Sequence, residues 1–443
     1  MPFDGVVGVI GAGASGLYAA DILKTKGVAV RVFEASDRIG GRIRSIRIFD
    51  DAPVKTDFPV ELGAERIIGT DSLWANMISQ LVVPANEISS VATEHFLLDN
   101  KLFDGATLAT DSDFVAAKAF FDNIVNYSGT NISVEEAIAA AGVSPRMNAI
   151  LNALIGNRAG TSNDRVSITS LKESLGLTSR NSNQLLLRSN PMQDALTSRF
   201  SAIVQQVELN TAIEYIDFSG ERIVLTGSSN GTAFTAEVDK VIIAVPVSIL
   251  KAGDIQFTPA LPAAKTSSLA GIGMDACVRV VLDFKQNFWS KNASCLYGGV
   301  TGSEFFNSGV TRSEYNKTLS LTVNGPKAEM LSQQGPESIP AILEELDTFF
   351  GGKATANIRR NDDQTLIYEW MDWYKAPYIK GGWSYIKPGA SQEARVTLAE
   401  QVNNQLYFAG EATDIAGDAG TINGALHSGE RAAQEVVDSI LNG

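Results

Sequence analysis

The sequence predicts an α/β protein in which a domain with a parallel sheet is interleaved with a second, α+β domain. The first observation is a short apolar strand near the N-terminus that runs into a glycine-rich turn, a helix and a second strand. The second is the length of 443 residues, which exceeds one ordinary domain. The third is a composition of 44% hydrophobic and 19% charged residues, which is typical of a soluble globular protein with a sizeable core.

The N-terminal elements follow in a regular order. The apolar stretch Val6–Ile10 predicts a buried parallel strand, residues 17–26 show helical spacing of apolar residues, and Ala29–Phe33 predicts the next strand. A glycine-rich turn at residues 11–16 separates the first strand from the helix, and Glu34 follows the second strand. Strand, turn, helix, strand and terminal acid in this register predict a Rossmann-like dinucleotide-binding unit.

The three glycines of the turn have separate tasks. One makes the tight turn, one lets the backbone approach a pyrophosphate, and one lets helix and strand pack closely. The pyrophosphate would then lie at the helix N-terminus, and the Glu34 carboxylate would accept hydrogen bonds from ribose hydroxyls. The residues predicted for this part of the site are Gly11, Gly13, Ala14, Ser15, Gly16, Glu34 and Ala35.

The segment after Glu34 favours FAD over NAD. Gly40, Gly41 and Arg42 place two flexible residues and a guanidinium just after the ribose-binding acid, where they suit a second approach to the diphosphate. With this acid, short basic stretch and Gly-Gly-Arg, the sequence resembles the flavin amine oxidase family. The resemblance implies an FAD-binding domain of the amine oxidase type.

Three further segments carry the resemblance over most of the chain. They are residues 60–67, residues 207–246, and residues 406–425 with the helix that follows. The resemblance implies that Glu411 binds the ribityl chain and that a helix N-terminus faces the flavin pyrimidine, where it stabilises negative charge on the reduced ring. The cofactor contacts implied in these segments are Gly63, Ala64, the backbone of Val207 beside the adenine, Gly410, Glu411, Thr421 and Ile422.

The FAD-binding domain is predicted to be discontinuous. Its parts are residues 1–70, 188–253 and 400–443, and the substrate-binding domain comprises residues 71–187 and 254–399. The first substrate-domain stretch predicts helices near residues 113–126, 134–141 and 146–154. The second predicts strands that include residues 278–284 and 318–323. Residues 227–231 predict a hairpin turn.

Two tryptophans are expected beside the flavin. Trp383 resembles an aromatic wall residue of the family, and Trp373 the indole that packs on the dimethylbenzene edge; core packing is the alternative for both. The second wall residue, commonly aromatic in monoamine oxidases, is Thr421, so half of an aromatic cage is missing. The position of the cysteine in covalently flavinylated relatives falls within Gly381-Gly382, which predicts non-covalent FAD.

Arg279 departs from the family pattern. The resemblance implies a lysine there that holds a water near the flavin N5 and assists reaction with oxygen. An arginine keeps the positive charge but is larger, planar and always protonated. The electron acceptor therefore stays open: it is either O2, or else a quinone or a protein. The alternative is that Arg279 forms a surface salt bridge because the strand register is shifted.

Arg66 indicates a substrate class. In L-amino acid oxidases the segment that resembles residues 61–67 also ends in an arginine, which binds the substrate carboxylate in a bidentate pair. The catalytic candidates are therefore Arg66, Arg279, Trp383 and Thr421. The alternative is an ion pair of Arg66 with Glu65 or another nearby acid, which would leave the substrate class open.

The predicted function is FAD-dependent oxidation of an amine or L-amino acid, in which the flavin accepts a hydride and the imine is hydrolysed. The alternatives are an amine dehydrogenase with a non-oxygen acceptor, an FAD-dependent desaturase or isomerase of an apolar substrate, and a non-catalytic interaction module. His95 and His427 are the only histidines, and structural roles are expected for both.

Composition limits the partners and the compartment. The net charge of −14 disfavours nucleic acid, and two cysteines, Cys277 and Cys295, are too few for a zinc site or a disulfide framework. No apolar run reaches the roughly 20 residues of a membrane helix, and no leader is recognised, so a cytoplasmic location without membrane or metal is expected. A homodimer is compatible with the sequence.

Overall fold

The computed structural model describes residues 3–47, 59–178, 180–312, 316–391 and 393–442. Its strands are β1 (Val6–Ile10), β2 (Ala29–Phe33), β3 (Ser45–Ile46), β4 (Val60–Glu61), β5 (Ile67–Ile68), β6 (Ala85–Glu87), β7 (Thr93–Leu98), β8 (Lys101–Asp104), β9 (Gln184–Leu187), β10 (Val207–Glu208), β11 (Thr211–Asp217), β12 (Ile223–Ser229), β13 (Thr232–Val238), β14 (Lys240–Ile243), β15 (Gln256–Thr258), β16 (Ile272–Met274), β17 (Cys277–Asp283), β18 (Ala293–Tyr297), β19 (Glu304–Asn307), β20 (Thr318–Asn324), β21 (Tyr368–Asp372), β22 (Ser384–Ile386) and β23 (Leu406–Phe408).

The α-helices are α1 (Ala14–Thr25), α2 (Leu73–Gln80), α3 (Gly105–Leu108), α4 (Ser112–Asp122), α5 (Val134–Ala140), α6 (Asn148–Leu151), α7 (Ile168–Leu177), α8 (Met192–Arg199), α9 (Ser201–Val204), α10 (Val247–Ala252), α11 (Ala263–Gly271), α12 (Pro326–Gln334), α13 (Ile339–Phe350), α14 (Lys353–Asn357), α15 (Ala394–Ala399) and α16 (Ile422–Asn442). Short 3₁₀ turns and one π-helical segment, Asn152–Asn157, complete them. Within the described ranges, each helix is too short or too polar to cross a bilayer.

A parallel five-stranded sheet forms the centre of the first domain, in the order β10-β2-β1-β14-β23. Alternate residues of its strands face opposite layers, because side chains alternate along a strand. Val7 and Val9 face α1 and α16, whereas Ile10 and Ile243 face an antiparallel sheet. The predicted Rossmann-like α/β arrangement is confirmed, and α16 starts four residues before the predicted residue 426.

The second sheet of this domain has the order β13-β12-β11-β15. The predicted hairpin is present, and its turn lies at Asn230 and Gly231, both with positive φ. Strand β15 pairs in parallel with β11, although residues 256–258 fall in the range predicted for the substrate domain. We therefore propose that the domain boundary lies just after β15.

A seven-stranded sheet forms the second domain, in the order β21-β17-β20-β19-β18-β7-β8. The strands predicted at residues 278–284 and 318–323 appear as β17 and β20, within one residue at each end. Along β17, Val278 and Val280 pack toward α12 and α13. By the two-residue period, Cys277 and Arg279 project to the opposite face, where the large cavity lies.

Helices α4–α6 cover part of the other side of this sheet. They match the helices predicted near residues 113–126, 134–141 and 146–154. The third helix is composite, because a 3₁₀ turn, a short α-helix and the π-helical segment follow one another between Pro145 and Asn157. A π-helical segment rotates the residues after it relative to the α-helical pattern, and such segments often occur at functional sites.

Candidate active site

One cavity of about 830 Å³ connects the two domains. It opens at the carboxyl ends of β1, β2 and β14, the edge where ligands bind in open α/β sheets. All the residues predicted for the site line this cavity except Gly16 and Val207.

The glycine turn has the geometry of a phosphate cradle. Gly11 has a φ of +102°, and a Cβ on Gly16 would lie 1.9 Å from the Gly11 carbonyl oxygen. Gly16 therefore contributes close packing and does not line the cavity. A Cβ on Gly13, by contrast, would meet nothing within 4 Å, so it would project into free space at the start of α1. No side chain caps the N-terminus of α1, which suits a pyrophosphate at that position.

Glu34 ends β2 and is almost fully buried. Its carboxylate accepts hydrogen bonds from the Ala12 amide at 2.7 Å, the Ser36 amide at 2.9 Å and the Ser36 hydroxyl at 2.7 Å. Glu34 therefore also organises the glycine turn. Ala35 lines the cavity beside it.

The predicted adenine contact at Val207 requires correction. Val207 pairs with Val32 at the edge of the parallel sheet and does not line the cavity. The chain passes the end of β2 from Glu208, whose carbonyl oxygen accepts from the Glu34 amide at 2.9 Å, to Thr211, whose amide donates to the Glu34 carbonyl oxygen at 2.8 Å. Residues 211–214 line this end of the cavity instead.

Arg42 connects three predicted segments. Its Nη1 donates to the Gly382 carbonyl oxygen and to Glu411 Oε1, both at 2.8 Å. Glu411 also accepts from the Gly420 amide at 2.8 Å. Burial by itself would raise the pKa of Glu411, but Arg42 and Arg395 hold it below the ordinary value. A Cβ on Gly63 would lie 2.0 Å from the Arg42 carbonyl oxygen, so this approach requires glycine. Gly40, Gly41, Ala64 and Gly410 line the same stretch.

Two indole side chains, those of Trp373 and Trp383, line the cavity. The Trp373 Nε1 donates to the Leu62 carbonyl oxygen at 2.9 Å, and the Trp383 Nε1 donates to the Arg158 carbonyl oxygen at 3.0 Å. Trp383 packs against Gly160 and Gly420, where a Cβ would lie 2.9 Å and 2.7 Å from its Cδ1. Both indoles are thus fixed by backbone contacts.

Thr421 precedes α16, whose first residue is Ile422. Its hydroxyl donates to the Asp418 carbonyl oxygen at 2.6 Å and accepts from the Gly424 amide at 3.1 Å. The hydroxyl therefore caps the helix start that lines the cavity. The predicted flavin-facing helix N-terminus is compatible with this placement.

Arg279 lies in β17 as predicted and is buried, so it forms no surface salt bridge. It donates through Nε to the Glu61 carbonyl oxygen at 2.6 Å, through Nη1 to Thr322 Oγ1 at 2.8 Å and through Nη2 to the Glu65 carboxylate. The Glu65 carboxylate also accepts a hydrogen bond from Arg312 Nη1 at 3.0 Å. Arg279 and Arg312 therefore share one buried carboxylate.

Arg66 forms the ion pair with an acid that was the alternative for it, with Glu304 and not with its neighbour Glu65, so the pairing by itself leaves the substrate class open. Its Nη2 lies 2.6 Å from Glu304 Oε1, and its guanidinium lies 4.9 Å from the centre of the Phe306 ring. Glu65 is unavailable because Arg279 and Arg312 share its carboxylate. The Arg66 side chain retains 25% exposure and lines the cavity.

Sequence reasoning missed Arg158 and Glu304, which both line the cavity. Arg158 follows the π-helical segment, and no local pattern singles it out. Glu304 is an acid in the fully buried strand β19, and a charged residue beside two phenylalanines is the one signal that could have indicated it. Neither His95 nor His427 lines the cavity, and no cluster of metal ligands occurs among the residues that the structure describes.

Comparison with known proteins identifies the family. The family model described as flavin containing amine oxidoreductase matches residues 14–146 and 183–437, so the chain belongs to this family. Human lysine-specific histone demethylase 2 is 24% identical over 97% of this chain and 53% of its own length. Polyamine oxidase 3 of Oryza sativa subsp. japonica is 26% identical over 96% of this chain and 88% of its own length. The chain spans about half the length of the human demethylase.

Solved structures agree on the fold. Cyclohexylamine oxidase from Brevibacterium oxydans superposes with a TM-score of 0.80 at 19% identity, covering 99% of this chain and all of that one. Family membership makes FAD the cofactor, and the cavity fits it. The open cradle at Gly13, the carboxylate of Glu34 and the close approach at Gly63 stand along one continuous cavity.

Proposed function

We propose that the protein oxidises an amine that also bears a carboxylate, such as an L-amino acid, with non-covalently bound FAD. Bound FAD would accept a hydride from the carbon that carries the nitrogen. The observation that carries the proposal is the position of Arg66, a cation with one face open to the same cavity that contains the cofactor motifs. Arg66 would bind the carboxylate, and Trp383 and Thr421 would bound the substrate on two sides.

A second candidate is a dehydrogenase whose electron acceptor is not oxygen. Arg279 favours it, because its Nε, Nη1 and Nη2 atoms all donate hydrogen bonds to protein groups, one of which is the buried Glu65 carboxylate. After anaerobic reduction, the rates of reoxidation by oxygen and by a quinone would distinguish an oxidase from a dehydrogenase. The cytoplasmic location remains a prediction from the sequence.

Replacement of Arg66 tests the substrate class. We expect Arg66→Met to lower kcat/KM for an L-amino acid by about 30- to 5,000-fold, the range for a broken buried charge pair. The matched amine without a carboxylate should lose far less. The comparison is made by steady-state assay of both substrates with each variant.

Arg199→Met is the matched control. The Arg199 side chain is also 25% exposed, pairs with one carboxylate, Asp21, and lies 4.8 Å from the centre of a phenylalanine ring, but it does not line the cavity. It should leave both substrates unaffected. An equal loss on both substrates in Arg66→Met would assign Arg66 a structural role.

A further inference from the structure

Arg158 lines the cavity together with Arg66 and Trp383. It is the first residue after the π-helical segment Asn152–Asn157. Its carbonyl oxygen holds the Trp383 indole, and its guanidinium lies 5.0 Å from the centre of the Tyr297 ring. Backbone and side chain of one residue thus contact both the aromatic wall and the charged groups behind it.

Two guanidiniums share one buried carboxylate at this end. Glu304 lies 2.6 Å from Arg66 Nη2 and 4.0 Å from Arg158 Nε, and it is 3% exposed. Burial by itself would raise the pKa of Glu304, but Arg66 and Arg158 hold it below the ordinary value. Glu304 is therefore ionised, and it can neutralise only one of its two partners.

The other titratable groups around the pair include two further carboxylates. Glu65 is buried and acts on Arg66, but its carboxylate is bound by Arg279 and Arg312. Glu94 lies 3.5 Å from Arg158 Nη2, and solvent screens this pair because both side chains are partly exposed. Burial raises the pKa of the Cys295 thiol to about 12 and that of Tyr297 well above its ordinary value, so both are neutral. Among the residues that the structure describes, Glu304 is therefore the one buried carboxylate that pairs with either guanidinium.

We propose that Arg158 is a second specificity-determining residue, which binds the substrate carboxylate together with Arg66. Glu304, shared by the two guanidiniums, competes with the substrate carboxylate for both. The inference rests on the proposed function and extends it from one cation to a pair. A carboxylate placed between two guanidiniums gains a second charge-assisted hydrogen bond.

Because the two guanidiniums share Glu304, removal of its charge should change substrate binding in opposite directions for a carboxylated amine and for a diamine. A substrate carboxylate competes with Glu304 for the same guanidiniums, so removal of the Glu304 charge should strengthen its binding. A diamine would instead use Glu304 as the partner of its second ammonium group, and removal of the charge should weaken its binding. Glu304→Gln keeps the shape of the side chain and separates these two cases.

The experiment measures kcat and KM of the FAD-loaded enzyme for an L-amino acid and for the same amine without its carboxylate. Arg158→Met should raise KM for the amino acid about tenfold or more, which corresponds to about 1.4 kcal/mol, and should change KM for the amine little. Arg158→Lys should recover part of the loss, because it restores the charge without the planar fork. Glu304→Gln should lower KM for the amino acid.

Arg146→Met is the matched control. The Arg146 side chain is 33% exposed against 32% for Arg158, and it pairs with Asp99 and Asp111 away from the cavity. If Arg158→Met does not fold, the lysine variant and Glu304→Gln carry the test. Equal losses on both substrates, or a higher amino-acid KM in Glu304→Gln, would overturn the inference alone. If the unmodified enzyme oxidises only amines without a carboxylate, the proposed function fails and the inference falls with it.

Discussion

Glu61 is a buried carboxyl group at the end of β4. It accepts hydrogen bonds from the Ser45 hydroxyl and, at 2.9 Å, from the Met192 amide at the start of α8. Desolvation nevertheless dominates and raises its pKa from 4.5 to about 7. The native state thus binds this proton more tightly than the unfolded chain does. Its contribution to stability is complete below pH 4.5 and is lost as the pH rises through about 7.

Glu61→Gln tests this pH dependence. Between about pH 5 and about pH 8, the wild type should lose about 2.5 kcal/mol of unfolding free energy relative to the variant, because glutamine does not titrate. Urea unfolding at both pH values gives the difference. Glu208→Gln, a half-exposed glutamate in β10, is the control and should track the wild type. A constant difference between wild type and Glu61→Gln would show that Glu61 is ionised in the native state.

At this scale the sequence predicts the residues whose role depends on backbone spacing. Gly11, Gly13 and Glu34 lie at the cavity because a tight turn and a strand end fix their positions locally. Glu304 is not predictable in this way. Its partner Arg66 lies 238 residues away along the chain, and only the tertiary fold brings them together.

The π-helical segment is the element that most affects the candidate site. The apolar spacing predicts a helix at residues 146–154, and a helix is present, but a 3.6-residue pattern gives no sign of the wider turn. This segment ends at Asn157 and is followed by Arg158, and both residues line the cavity. Val207 fails for a related reason, since a two-residue edge strand ends before the chain reaches the cavity.

Gly160 links this segment to the aromatic wall. Its φ is +90°, and a Cβ there would lie 2.8 Å from the Trp383 carbonyl oxygen and 2.9 Å from its Cδ1 and Nε1. We expect Gly160→Ala to displace Trp383 and to lower kcat/KM about tenfold or more, because small misplacements near the reacting atoms are costly. Steady-state kinetics and tryptophan fluorescence report the two effects.

Gly27→Ala is the control that separates the effect of the contact between residue 160 and Trp383 from the effect of backbone strain. Gly27 has a similar φ of +82°, but a Cβ there would meet nothing within 4 Å. Both variants should lose about 1–2 kcal/mol of stability, the cost of this conformation for a residue with a Cβ. Only Gly160→Ala should lose activity. Full activity in Gly160→Ala would remove Trp383 from the substrate wall.

At the scale of the whole molecule, the cavity exists because segments distant in sequence meet. Arg42, Gly382 and Glu411 are joined by two hydrogen bonds, although they belong to three separate parts of the chain. The first two strands of the parallel sheet follow from the sequence pattern, whereas the pairing of β15 with β11 does not, because a three-residue strand has no distinctive pattern.

We predict that the flavin is not covalently attached. Gly381 and Gly382 carry no side chain, and Cys277 is the one cysteine that lines the cavity. Burial raises the pKa of its thiol to about 12, so it is not a thiolate at neutral pH. Acid precipitation should leave yellow flavin in the supernatant. Flavin retained in the pellet, and released by Cys277→Ser, would contradict this prediction and identify the attachment site.

The proposed function requires that the cavity holds FAD and that the protein oxidises a carboxylated amine. The most direct test is the visible spectrum of the FAD-loaded protein, recorded without oxygen during titration with a panel of L-amino acids and their decarboxylated amines. We expect at least one L-amino acid to bleach the oxidised flavin absorbance faster than its matched amine does. A flavin that stays oxidised with every amine and amino acid, while an apolar substrate reduces it, would contradict the proposed function.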